Sequence, residues 1–118
     1  MLDNKNIKKL RWLGNSKKSL REFPYEVKQA CGHALYVAQQ GDKSPDAKIM
    51  KGLGSGIYEI IEDHRSDTYR AVYTVKYENY IYVLHAFQKK SKSGIKTPKK
   101  DIDLIKLRIK QAKELENE

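Results

Sequence analysis

Residues 69–77 (YRAVYTVKY) and residues 80–87 (YIYVLHAF) decide the fold of this chain. Both runs are rich in β-branched and aromatic residues, which favour strands. Only Glu78 and Asn79 separate them, so the spacing predicts two strands joined by a tight connection. Apolar residues occupy both alternating sets of positions in each run. We therefore expect both strands to be central in a sheet and covered on both faces for part of their length.

Two more strands are predicted outside this pair. Residues 57–61 (IYEII) follow a turn bracketed by glycines and have the composition of a strand. Residues 7–13 (IKKLRWL) predict a short first strand. Together with the central pair, they indicate a small antiparallel β-sheet.

Three helices are predicted from apolar spacing and from end signals. Ser16 is expected to cap a short helix, and Pro24 to stand at the first position of a second helix that Gly41 ends. Thr97 is expected to cap a last helix that begins with Pro98. The apolar stripes of the two longer helices are Val27, Ala30, Cys31, Ala34, Leu35 and Ala38, and then Ile102, Ile105, Ile109 and Ala112.

These elements predict a single α+β domain over residues 1–118, with a small antiparallel β-sheet packed against two N-terminal helices and followed by a C-terminal helix. We expect the helices on one face of the sheet and part of the other face to be open. Cys31 falls within an apolar stripe, which favours a buried structural thiol over a nucleophile.

The net charge of the chain indicates which class of partner it binds. The chain has 24 Lys and Arg against 15 Asp and Glu, a formal charge of +9. Such an excess on a small domain favours a polyanionic partner, above all a nucleic acid. No apolar run approaches the roughly 20 residues of a membrane span, and no signal peptide is recognisable. With one cysteine, the chain is expected to be cytoplasmic, without a membrane partner.

Cofactor and metal chemistry are not expected. His33, His64 and His85 are scattered and lack metal-ligand spacing. The glycines of residues 52–56 precede a strand, whereas phosphate-binding glycine loops lead into a helix. We therefore predict no metal site and no small-molecule cofactor.

Three stretches resemble the phage-derived, HigB-like branch of the RelE/HigB/ParE toxin superfamily. They are residues 54–60 (GSGIYEI), residues 69–73 (YRAVY) and residues 84–91 (LHAFQKKS), the last followed by Thr97 and Pro98. The resemblance implies a RelE-like microbial RNase fold and the toxin of a type II toxin–antitoxin system. It also implies ribosome-dependent, metal-free cleavage of mRNA and a cognate antitoxin, often a helix-turn-helix protein. The ribosome, mRNA and the antitoxin are thus the expected partners.

Metal-free RNA cleavage needs a base near the ribose 2′-oxygen, an acid near the leaving 5′-oxygen and positive charge on the phosphate. Arg70 suits the phosphate and matches the arginine of the family's Tyr-Arg-x-Val-Tyr strand. Lys89 and Lys90 end the next strand on opposite faces, and which of them faces the site stays open. His85 is a candidate acid or base or else a hydrogen-bonded core histidine. Glu59 is the other candidate base, although the best-known RelE-like toxins carry lysine on this strand.

Further residues are expected to bind the RNA backbone or to stack on a base. They are Lys51, His64, Arg65, Tyr73, Lys92 and Lys96.

Two other functions remain possible from the sequence. One is a ParE-like toxin with the same fold that acts on DNA gyrase by protein contact. The other is a non-enzymatic nucleic-acid-binding module from a prophage. An adjoining gene for a helix-turn-helix protein would favour either toxin over the module.

Overall fold

Eight helices and strands make up the described part of the chain, residues 7–89 and 96–118 of the computed structural model. They are β1 (Lys9–Trp12), α1 (Ser16–Arg21), α2 (Tyr25–Gln39), β2 (Ala47–Ile49), β3 (Ile57–His64), β4 (Asp67–Thr74), β5 (Tyr80–Lys89) and α3 (Lys99–Glu116). None of the helices in these ranges is long and apolar enough to cross a bilayer.

The strands form one mixed sheet in the order β1-β5-β4-β3-β2. The predicted central position of β4 and β5 is confirmed. The predicted all-antiparallel sheet is wrong, because β1 runs parallel to β5, with Lys9 opposite Tyr80. Strand direction depends on how the helices return the chain to the sheet, which residue composition does not record. Strand β2 was not predicted, since its three residues are too few to show a period.

Helices cover both faces of the sheet, and this corrects the predicted arrangement with helices on one face. Residues of β3, β4 and β5 alternate between two apolar clusters. One cluster joins Ile60, Ala71 and Val83 to α2, and the other joins Val72 and Tyr82 to α3. We name these the α2 face and the α3 face. Two helical layers are needed because both sides of the central strands are apolar.

The three helices begin within about one residue of the predicted positions. Pro24 and Pro98 each immediately precede a helix instead of beginning it. Gly41 has φ +92°, in line with its predicted role after the C-terminus of α2. Ser16 lies inside α1, and its hydroxyl donates to the Val83 carbonyl at 3.2 Å instead of capping the helix. Thr97 caps nothing either; its hydroxyl bonds to a side chain of the sheet.

A β-bulge in β5 is tied to α3 by a buried arginine. Val72 lies opposite His85 and Tyr73 opposite Val83, so Leu84 is the extra residue. Its carbonyl accepts a hydrogen bond from Arg108 Nη1 at 2.8 Å. Burial lowers the pKa of Arg108. A bulge leaves a backbone group without a partner in the neighbouring strand. Here the guanidinium of Arg108 supplies the missing hydrogen bond, and this bond also holds α3 against β5.

Cys31 is fully buried on the α2 face, as predicted. Burial, followed by the nearby carboxylates of Glu62 and Asp46, raises the pKa of its thiol to about 12. The same two carboxyl groups lie close together. Burial, a hydrogen bond to Asp46 and the charges of Asp46 and Asp63 raise the pKa of Glu62 to about 7.

Glu62→Gln should remove a pH dependence of stability. A raised pKa means that the folded chain binds this proton more tightly than the unfolded chain does. The resulting stabilisation is complete below the ordinary value of 4.5 and is lost as pH rises through about 7. We expect the effect to be on the order of 1 kcal/mol, since solvent screens this partly exposed pair. Urea denaturation across this window should show a flatter profile for the variant than for wild type. Glu114→Gln, at an exposed carboxylate, should leave the profile unchanged, and an equal flattening there would contradict the assignment.

Candidate functional site

Four side chains predicted to be catalytic lie on the α3 face, and strand register explains why. Glu59 of β3 and His85 of β5 both lie opposite Val72 of β4, so the three share one row. Arg70 and Lys89 occupy the following rows of the same face, because residues two apart on a strand point to the same side. Lys89 is therefore on the side of Arg70. Lys90 lies outside the described residues.

Arg70 forms a triangle with Glu59 and Thr97. Its Nη1 donates to Glu59 Oε2 at 3.3 Å and to Thr97 Oγ1 at 3.2 Å. The Thr97 hydroxyl in turn donates to Glu59 Oε2 at 3.0 Å. Arg70 is only 3% exposed, and its Nε has no hydrogen-bond partner among the described residues. Arg70 is the fourth residue of β4, and Thr97 covers its guanidinium.

His85 forms the second polar cluster, with Asp101 in the first turn of α3. His85 Nε2 lies 2.7 Å from Asp101 Oδ1, and the imidazole stacks on Phe87. Burial lowers the pKa of His85 more than the bond and charge of Asp101 raise it, and Arg108 lowers it further. The imidazole is therefore neutral near pH 7 and must donate through Nε2 to the carboxylate. Its Nδ1 is then a proton acceptor, and it is buried with no partner among the described residues.

An open cleft connects this site to basic side chains at the edge of the sheet. Glu59 and Thr97 line it together with Lys51 and Lys96, two of the predicted RNA-binding residues. Lys48 lies directly opposite Glu59 in the register and is exposed. Lysines at the rim, together with an arginine bonded to the lining side chains of Glu59 and Thr97, suit a phosphodiester backbone.

Three predicted RNA-binding residues do not join this cleft. The ring of His64 lies 6.4 Å from that of Tyr69, which belongs to the cluster on the α2 face. Arg65 lies in the exposed turn between β3 and β4. Tyr73 is 1% exposed on the α2 face, so its ring is not available to stack on a base. Lys92 lies outside the described residues.

Sequence reasoning missed Asp101, and it assigned Thr97 only a capping role. Both contacts are long-range, joining α3 to strands β3, β4 and β5. No spacing rule signalled them, because Thr97 precedes α3 and both contacts depend on how α3 packs across the sheet. Within the described ranges, no three His, Cys, Asp or Glu residues form a group that could hold a metal ion.

A family model for phage-derived Gp49-like proteins (DUF891) matches residues 18–110. This chain belongs to the phage-derived Gp49-like family. The family is associated with RelE-like toxins. The predicted membership of a phage-derived family is therefore confirmed. Comparison with curated proteins and with solved structures found no match for the Gp49-like chain.

The matched segment of this Gp49-like protein contains the whole site, from Glu59 to Asp101. Chemically, the site pairs a guanidinium on a carboxylate with an oriented neutral imidazole. Such groups can stabilise a phosphate's developing charge and accept a proton beside it.

Proposed function

We propose that this Gp49-like protein is the toxin of a type II toxin–antitoxin pair and cleaves mRNA on the ribosome. The observation that carries the proposal is the placement of Arg70, Lys89 and the His85–Asp101 pair on one face of the sheet. Family membership and the +9 charge point in the same direction. A cognate antitoxin, expected to be a helix-turn-helix protein, would neutralise the toxin.

The proposed reaction is an in-line transfer within the RNA. The ribose 2′-oxygen attacks the adjacent phosphorus, and the bond from phosphorus to the 5′-oxygen breaks. The products are a 2′,3′-cyclic phosphate and a 5′-hydroxyl. His85 Nδ1 takes the proton from the 2′-hydroxyl, and the Lys89 ammonium supplies one to the departing 5′-oxygen. Arg70 stabilises the negative charge that develops on the phosphate.

We assign the base to His85 and not to Glu59 because of their partners. Glu59 Oε2 accepts hydrogen bonds from both Arg70 and Thr97. That oxygen already accepts two hydrogen bonds within the protein. Glu59 is better suited to orient the guanidinium of Arg70. Lys48, Lys51 and Lys96 then hold the RNA backbone without reading its sequence.

The shape of the site supports the proposed ribosome dependence. The cleft is open, and Arg70, His85 and Lys89 are buried outside its lining, so we expect another surface to position the message. Positioning alone contributes a large part of the rate in many enzymes. The ribosome would supply that surface through rRNA held by the basic rim.

Induced expression without an antitoxin should arrest growth and stop translation. Mapping mRNA 5′-ends after induction should show new ends within translated codons. Purified protein should cleave ribosome-bound message much faster than naked message. Co-expression of an adjoining helix-turn-helix gene, where one exists, should restore growth.

Two outcomes would contradict the proposal. Cells that tolerate soluble, folded protein at high level would exclude a toxin. Growth arrest with unchanged mRNA 5′-ends and inhibited DNA gyrase would instead establish the ParE-like activity.

A further inference from the structure

Lys96 and Thr97, shortly before α3, each place an oxygen atom on a side chain proposed to act on RNA. We name residues 96–98 the closing segment. Lys89 Nζ donates to the Lys96 carbonyl at 2.7 Å. Arg70 Nη1 donates to the Thr97 hydroxyl at 3.2 Å. Asp101, which holds His85 Nε2, is not part of this segment.

These contacts leave little room for a substrate. Arg70, His85 and Lys89 are 3%, 7% and 8% exposed. A phosphate oxygen must come within about 3 Å of a guanidinium or ammonium nitrogen to form a charge-assisted hydrogen bond. A side chain so deeply buried cannot make that bond until its covering groups move away. The structure is therefore a closed form of the site.

We propose that the closing segment is an internal substitute for the substrate, which RNA must displace from the site. This inference rests on the proposed function and adds its regulation. The segment presents a carbonyl and a hydroxyl oxygen, the same acceptor type that a phosphodiester presents to Lys89 and Arg70. RNA and the closing segment thus compete for Arg70, and Thr97 is the segment's direct contact with it.

Competition of this kind lowers the apparent affinity for RNA. When only a fraction of the molecules is open, the apparent dissociation constant rises by the inverse of that fraction. Exposed Lys96, Lys99 and Lys100 lie in or near the segment that must move. A polyanion bound to these lysines therefore favours displacement of the closing segment. Opening of the site is thus coupled to binding of a large RNA surface such as rRNA.

Thr97→Val tests the competition because valine keeps the shape of threonine and removes the hydroxyl. The probe is a short 2′-O-methyl RNA oligonucleotide, which lacks the attacking hydroxyl and cannot be cleaved. We expect the variant to bind it on the order of tenfold more tightly than wild type. Thr97→Ser keeps the hydroxyl and should bind like wild type. Thr68→Val is the matched control, since its hydroxyl bonds to Asp63 and not to Arg70; it should also bind like wild type.

Hydrogen exchange on wild-type protein provides a second test that needs no variant. The backbone amides of Asp101 and Ile102 both donate to the Pro98 carbonyl in the first turn of α3. Addition of the oligonucleotide should speed their exchange. The Lys28 amide, which donates to the Pro24 carbonyl in the equivalent turn of α2, should not change.

The outcomes separate this inference from the proposed function. Equal or weaker binding by Thr97→Val, or slower exchange at Asp101 and Ile102, overturns the closed site even if wild-type protein cleaves message on ribosomes. Tighter binding by Thr97→Val together with faster exchange supports the closed site. If that pattern appears and ribosome-bound message stays intact, the nuclease assignment fails while the closing segment stands.

Discussion

Arg70→Ala should lower the rate of mRNA cleavage on ribosomes by a factor on the order of a hundred or more and abolish growth arrest. A donor aimed at the developing charge of a transition state typically contributes that much. Arg70 is placed for this role on the α3 face, beside Glu59 and Thr97. Single-turnover cleavage of ribosome-bound message measures the effect.

The variant also has a structural cost, because Glu59 is left buried without its cation. Removing one partner of a buried pair can destabilise a protein by about 3–5 kcal/mol. The double variant Arg70→Met with Glu59→Gln removes both charges, so it should regain most of the stability and still fail to cleave. Arg21→Ala, at an exposed arginine of α1, is the matched control and should cleave like wild type. A well-folded Arg70 variant that halts growth at the wild-type rate would falsify the catalytic assignment.

His85→Gln should lower the cleavage rate by a factor of about 10² to 10⁴, the usual contribution of a positioned general base. His33→Gln, at an exposed histidine of α2, is the control for loss of an imidazole. Thermal melting of both variants distinguishes loss of chemistry from loss of folding. A variant with normal melting and normal cleavage would show that His85 has only a packing role.

A pH profile tests the His85–Asp101 pair more sharply. As a base, His85 must be unprotonated, so activity should fall when pH drops below its pKa. That pKa is already lowered by burial, while Asp101 raises it. Asp101→Asn keeps an acceptor for Nε2–H and removes the charge, so the acid limb of the profile should move to lower pH. An acid limb that stays in place would mean that another group acts as the base.

Much of the fold could be predicted from local patterns. The strand composition of residues 69–77 and 80–87 located the centre of the sheet, and the apolar stripe through Cys31 located α2. The parallel pairing of β1 and the two-sided helical cover could not be predicted in this way. Both depend on how distant segments return to the sheet, and side-chain periodicity is the same in parallel and antiparallel strands.

The candidate site, too, could be predicted from the sequence only in part. The residue types of Arg70, His85 and Lys89, their positions in strands and the excess of positive charge were all determined by the sequence alone. Register and the bulge at Leu84 then decided which of these side chains share a face. Only the tertiary structure placed Thr97 against Arg70 and Asp101 against His85, because α3 packs across the strands. A buried donor bonds to the nearest protein oxygen when water cannot reach it. The sequence thus determined which groups are present, and the packing of α3 decided which of them are covered.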